Sequence, residues 1–175
     1  MNLFTGESAD EFFGGAVPDA VRPVLHQAAQ APRSEVGALL WTAQALAPQC
    51  LSIYYALYKH HAGLREFELA ERAALRGVQE AAQQADLALD WREVTSASLP
   101  AGLDFGANGP ARFWLFTLKA LAFIALRSER PDEARELLAH IAGLGHGARI
   151  GDEVTATLLA SVTPAAAGPA GIQPA

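Results

Sequence analysis

Apolar side chains recur at Val36, Leu39, Leu40, Ala43 and Leu46, the three-to-four spacing of a helix with one buried face. Pro32 and Ser34 stand just ahead of that stripe, so a helix is predicted over 34–46. A second run, about 48–62, begins at Pro48 and ends at Gly63, where a left-handed closing residue fits. The next, about 64–88, sets Phe67, Ala70, Ala74, Val78, Ala81 and Ala85 on one face and Glu/Arg pairs such as Glu68/Arg72 on the other. Upstream, Pro18-Asp19 opens a helix to about Gln30, with Pro23 as an early-turn residue or a kink. Downstream, helices are predicted over about 111–128, from Pro131 to 143–145, and from Asp152 to about Val162. Asp132 and Glu133 suit the positive N-terminal end of the second of these.

The periodicity lapses over residues 90–111, where Pro100, Gly102, Gly106, Gly109 and Pro110 interrupt it. This stretch reads as a loop or insert anchored by Trp91, Leu103 and Phe105. Residues 1–16 read as a mobile N-terminus, and the Ala/Gly/Pro-rich 164–175 as a disordered tail. One helical domain over 17–163 remains.

Residues 36–58 carry no charge and are long enough to span a bilayer. Thr42, Gln44, Gln49 and Ser52 lie within them, however, and Pro48 splits them. Two amphipathic helices meeting at Ala47-Pro48 explain the run better. The Phe113–Leu126 run is shorter and includes Lys119. Both read as buried helices of a cytoplasmic protein, and Met1–Glu7 lacks the basic start of a secretory signal.

Composition narrows the function classes. The 175 residues hold 13 basic and 19 acidic side chains, a net charge of −6. That argues against a general nucleic-acid binder, which needs a basic face to displace counterions. A single cysteine, Cys50, excludes an intramolecular disulfide and any cysteine-clustered metal site. Its helical setting reads as packing, with no basic activator nearby in sequence.

Candidate chemistry is thin. His60 and His61 point about 100° apart on a helix, so they cannot share one ion from one face. His26, His140 and His146 have no neighbour at ligand spacing. Gly143-Leu144-Gly145-His146-Gly147 follows a helix and not a strand, which removes its dinucleotide-binding reading. Glu66, Glu68 and Glu71 read as a solvated helix face. No nucleophile elbow occurs. The expectation is a non-enzymatic protein with no cofactor and no bound metal.

Two helical pairs share a pattern. Leu118, Leu121, Ala122 and Ala125 are followed by Ala134, Leu138 and Ile141. Tyr54, Leu57, Tyr58 and His61 are followed by Ala70, Ala74 and Gly77, each displaced by 64 residues from its counterpart. Small residues on the second helix of each pair allow close antiparallel packing, and repetition of the unit signals an array.

Leu118-Lys119-Ala120-Leu121-Ala122, followed by Asp132-Glu133-Ala134, resembles one tetratricopeptide repeat; Tyr54–Tyr58 with Phe67–Leu75 resembles a more divergent one. The resemblance covers roughly residues 48–143. The chain departs from that family at Ala122, which stands at the usual glycine-like position, and in lacking the closing proline. The resemblance implies an all-α fold of TPR-like antiparallel helical hairpins in a compact bundle of about seven helices. It also implies that the first helix of each pair lines a concave side. Tyr55 and Lys59 would then share one groove with Arg112, Phe116, Lys119 and Phe123. Rings with flanking cations suit an apolar protein segment with acidic neighbours. The competing reading makes Phe116 and Phe123 core and the lysines solvated.

The stretches Tyr54–His61, Leu115–Phe123 and Arg149-Ile150-Gly151-Asp152 are similar to small TPR-like proteins encoded among bacterial nitrogen-fixation genes. That resemblance implies an adaptor or assembly-accessory role in nitrogenase maturation or protection, through a protein partner, without nucleic acid or membrane. A homodimer stays open. The alternative function is a carrier of a small molecule or metal cofactor, using His60, His61 and nearby tyrosines inside the bundle.

Overall fold

Proline sets the start of three helices, because its fixed φ and missing N–H are tolerated in a helix's first turn. Pro23, Pro110 and Pro131 each occupy that turn. A computed structural model describes Phe13 and residues 15–145. Among them are α1 (Arg22–Gln30), α2 (Arg33–Leu46), α3 (Leu51–Gly63), α4 (Phe67–Gln84), α5 (Gly109–Arg127) and α6 (Pro131–Gly143). The fold is all-α, with six α-helices and no strand among the described residues. The seventh expected helix, over 152–162, lies outside them, as do His146, the 164–175 tail and most of the 1–16 segment.

Several boundaries differ from expectation for local reasons. Helix α1 starts at Arg22, since Pro23 must lie in its first turn and a Pro18–Val21 turn precedes it (Val21 N–H to Pro18 O, 3.1 Å). Gly63 stays helical, and the left-handed residue that ends α3 is Arg65, with φ 63°. Helix α4 stops at Gln84 because Asp86 turns left-handed at φ 55°. Leu46 is 56% exposed, and the stripe of α2 continues instead into buried Ala47. At α5 the Asn108 side chain accepts from the Ala111 N–H at 2.9 Å, so the helix begins inside the expected loop.

The 64-residue displacement governs the hairpins. Helices α3 and α5 end at Gly63 and Arg127, while α4 and α6 begin at Phe67 and Pro131. Arg65 and Glu129 are the left-handed residues between them, with φ 63° and 61°. The Glu66 N–H reaches back to the His61 carbonyl, and the Arg130 N–H to that of Ala125, both at 2.9 Å. Each turn therefore closes with the same backward bond to the carbonyl five residues earlier. The three-residue connections make each pair antiparallel.

Helix α4 is the central partition, packed against both α3 and α5, while α6 covers α5 and α2 covers α3. Its buried positions are mostly small: Ala70, Ala73, Ala74, Gly77, Ala81 and Ala82. A Cβ on Gly77 would lie 2.9 Å from Tyr54 Cβ and 3.1 Å from the Phe113 ring. That glycine lets α4 approach both inner helices at one level. Leu57, Phe113, Trp114, Leu115 and Leu118 fill the core beside it, each large side chain contributing about 1.5–3 kcal/mol by leaving water.

The insert is anchored by buried Trp91, Val94 and Phe105, with Leu103 half-buried. Phe105 stacks on Trp114 at 6.2 Å, and Arg92 binds Glu136 of α6 at 2.8 Å. Helix α5 is long and apolar enough to cross a membrane by length and composition, but most of it is buried inside the bundle. It behaves as a core helix.

Candidate functional site

The sequence places both of the chain's lysines, Lys59 and Lys119, in the expected site. On α3, Tyr55 and Lys59 lie one turn apart, and the Lys59 ammonium donates to the Tyr55 hydroxyl at 3.1 Å. The same ammonium stands 4.8 Å from the centre of the Tyr55 ring. Tyr55 meets Tyr58 edge-on at 5.4 Å. On α5, Arg112, Phe116, Lys119 and Phe123 follow one helix face, and Lys119 lies 5.7 Å over the Phe116 ring.

Phe13 bridges the two helices. Its ring packs 5.2 Å from Tyr55 of α3 and 4.9 Å from Phe113 of α5, edge-on to the latter. It is 2% exposed although it falls within the segment expected to be a mobile terminus. Sequence periodicity does not reveal it, because Gly14, Gly15 and Pro18 break up any helical pattern after Phe13.

The competing reading of this face, with Phe123 in the core and the lysines solvated, fails at two residues. Lys119 is only 4% exposed, so it is not a solvated charge. Phe123 is 43% exposed, so it is not core; it stands at the far end of the row, where Arg127 lies 5.9 Å from it and 6.0 Å from Phe67. Arg112 and Phe116 are half-buried.

The glutamates expected to be a solvated face are partly committed. Glu71 takes a two-pronged bond from Arg130, at 3.0 and 2.8 Å, across 59 residues. Arg130 also binds Glu133 at 2.7 Å, and these carboxylates raise its pKa, Glu71 first. Glu66 accepts from His61 Nδ1 at 2.7 Å.

In the histidine and tyrosine set proposed for a carrier, His61 and Tyr54 are engaged with their own bundle. Trp41 Nε1–H donates to His61 Nε2 at 3.2 Å, so both ring nitrogens of His61 are used. Burial lowers the His60 pKa, with His61 adding to the shift. The Tyr54 hydroxyl donates to the Pro48 carbonyl at 2.7 Å and accepts from Gln44 at 3.0 Å. Burial raises the pKa of Tyr54 and, further, that of Tyr58. Among the described residues no three His, Cys, Asp or Glu side chains converge to hold a metal ion. Cys50 is buried, its sulfur 3.3 Å from the Ser52 hydroxyl.

No family model matches the chain, and no solved structure matches it significantly. Over 160 residues it is 28% identical to an uncharacterised 19.8 kDa protein in the nifW 5′ region of Azotobacter chroococcum mcd 1, a similarity that covers 91% of this chain and 89% of that protein.

Proposed function

We propose that this protein is a non-enzymatic adaptor or assembly-accessory protein with a TPR-like centre, supporting nitrogenase maturation or protection. Its α3/α5 face takes an apolar segment of a partner protein that has acidic neighbours. The observation that carries this reading is that each of the two lysines stands beside a ring, Lys59 by Tyr55 and Lys119 by Phe116, on the first helices of two hairpins in matched register, with Phe13 packed on Tyr55. Rings supply contact area at low entropic cost, and the cations select charge. The chain's overall net charge of −6 disfavours indiscriminate contact with other acidic proteins. The pathway rests on similarity to the protein in the nifW 5′ region.

A photo-crosslinking residue placed at Tyr55, and separately at exposed Gln79 on α4, tests the reading in cells fixing nitrogen. Crosslinks to a nitrogenase component or assembly protein from position 55 and not from 79 are expected. Equal yields from both positions, or none from 55, would put the binding surface elsewhere.

A further inference from the structure

Residues of both hairpin turns line one groove of about 500 Å³: Arg65, Glu66, Phe67, Glu68 and Leu69 beside the first turn, and Ser128 at the second. Arg65, the left-handed residue of the first turn, has its guanidinium 5.9 Å from the centre of the Phe67 ring. Arg127, the last residue of α5, stands 6.0 Å from the same ring and 5.9 Å from that of exposed Phe123. Both arginines are exposed, and neither has a carboxylate partner among the described residues. The neighbouring polar groups are committed elsewhere. Glu66 accepts from His61 at 2.7 Å, Glu71 and Glu133 are taken by Arg130, and the Ser128 hydroxyl donates to the Ile124 carbonyl at 2.8 Å. Of the acids lining the groove, Glu68 makes no ion pair, so two uncommitted cations stand against one uncommitted anion.

Contact with a ring face holds an exposed guanidinium only weakly. Two guanidinium groups drawn to one ring also repel each other, a cost that a carboxylate placed between them removes. A carboxylate matches the guanidinium fork with two parallel bonds, the strong form of such a pair.

We propose that this groove receives the acidic residues beside the partner's apolar segment, with Arg65 and Arg127 binding a carboxylate next to the Phe67 ring. The proposal rests on the reading of the protein as a binder of such a segment and adds where its acidic end docks. Arg127 flanks both Phe67 and Phe123, so the groove continues the α5 row beyond its last ring. From Phe123 to Arg127 the helix rises about 6 Å, the span of about two extended residues. A segment lying along the row therefore brings its next residues to the arginines.

The side-chain Nε–H signals of the arginines report on the groove directly by NMR. The probe is the acetylated, amidated peptide Asp-Leu-Phe-Leu-Glu-Asp-Glu, compared with its analogue carrying Asn and Gln in place of the acids. With the acidic peptide the Arg65 and Arg127 signals should shift to saturation, while that of Arg72, exposed on α4 outside the groove, stays in place. The neutral analogue should bind at least about tenfold more weakly, and so should the acidic peptide to Arg127→Gln, with its melting curve unchanged. Arg127→Lys keeps the charge without the fork and should recover only part of the loss. Static Arg65 and Arg127 signals, equal movement of Arg72, or equal affinity of the two peptides would each overturn the proposal.

Crosslinking separates this site from the reading beneath it. Position-55 crosslinks at full yield in Arg65→Gln/Arg127→Gln would sink the arginine site and leave the adaptor standing. Peptide shifts at both arginines without position-55 crosslinks would sink the α3/α5 adaptor reading and leave the arginine site.

Discussion

The Trp41 indole N–H donates to Nε2 of His61 at 3.2 Å, and that bond decides where the buried ring carries its proton. With Nε2 accepting, Nδ1 carries the hydrogen and donates to Glu66 at 2.7 Å. The chain Trp41–His61–Glu66 thus ties α2 to the end of α3 and to the turn before α4. Trp41→Phe keeps a ring but leaves a buried acceptor without its donor, which costs about 1–3 kcal/mol. Urea unfolding should show a lower midpoint, and the imidazole nitrogen shifts should lose the single Nδ1–H tautomer. An unchanged midpoint would mean that water replaces the indole at no cost.

Gly77 and Gly143 should respond in opposite directions to alanine. Helix propensity alone favours alanine by about 1 kcal/mol at an interior position. At Gly77 the new methyl would sit 2.9 Å from Tyr54 Cβ, an atom that cannot swing away without moving α3. Gly77→Ala should therefore destabilise by about 1–3 kcal/mol. Gly143 has nothing within 4 Å of an added Cβ, and Gly143→Ala should stabilise by about 0.4–1 kcal/mol. Denaturant midpoints of the two variants decide it; equal shifts would contradict the packing described for α4.

Ala134 is the second hairpin's small contact, fully buried on α6 against α5. Ala134→Leu should overpack that crossing by about 1–3 kcal/mol. A midpoint equal to wild type would show that α6 can slide along α5, and the register between hairpins would not be fixed there.

The hairpin register was legible because small residues recurred at the same displacement as the larger ones they pack against. The limits of α6 were legible too, since Pro131 and the acids after it mark a helix start. Arg65 was not. Scanning for glycine presumes that φ is chosen by residue type, whereas here the backward bond from Glu66 to the His61 carbonyl holds a non-glycine residue left-handed. The same blindness applies to Glu71, whose partner Arg130 lies 59 residues away. In the candidate site the rows on α3 and α5 followed from helical projection. Which members were buried depended on neighbours that one-dimensional periodicity does not contain, as the reversal between Lys119 and Phe123 illustrates.

Stability should fall as the solution is acidified below about pH 6.5, the ordinary histidine value. His140 packs edge-on to Trp91 at 4.8 Å, and its Nε2 is buried with no hydrogen-bond partner among the described residues. Burial lowers its pKa, and Arg92 adds to the shift; His60 is lowered by burial and then by His61. A depressed histidine pKa means that the unfolded chain binds protons first, so stability is full above the unfolded value and declines towards the folded one. Urea midpoints at pH 7.5 and 5.5 should differ, and His140→Gln should shrink the difference. A variant with the same pH slope as wild type would assign the loss to other groups.

Lys119 and Phe123 lie four residues apart on α5 and should separate folding from binding, in the reverse of the order their side chains suggest. An exposed charge can usually be reversed at a cost within about 0.5 kcal/mol. Lys119 is 4% exposed, so Lys119→Glu puts a carboxylate into a buried setting shaped for an ammonium, with an expected cost of about 3–5 kcal/mol. Lys119→Met keeps a long unbranched side chain at this position and should cost less, because no charge of the wrong sign is buried. Phe123 is 43% exposed, and its truncation to alanine should leave the melting curve within about 0.5 kcal/mol of wild type. If the partner segment runs along the α5 row, Phe123→Ala nevertheless lowers the crosslinking yield from position 55. Melting curves and crosslinking on the same preparations separate the outcomes. A destabilised Phe123→Ala would make that ring structural after all, and a stable variant with full crosslinking would end the partner's footprint before the last turns of α5.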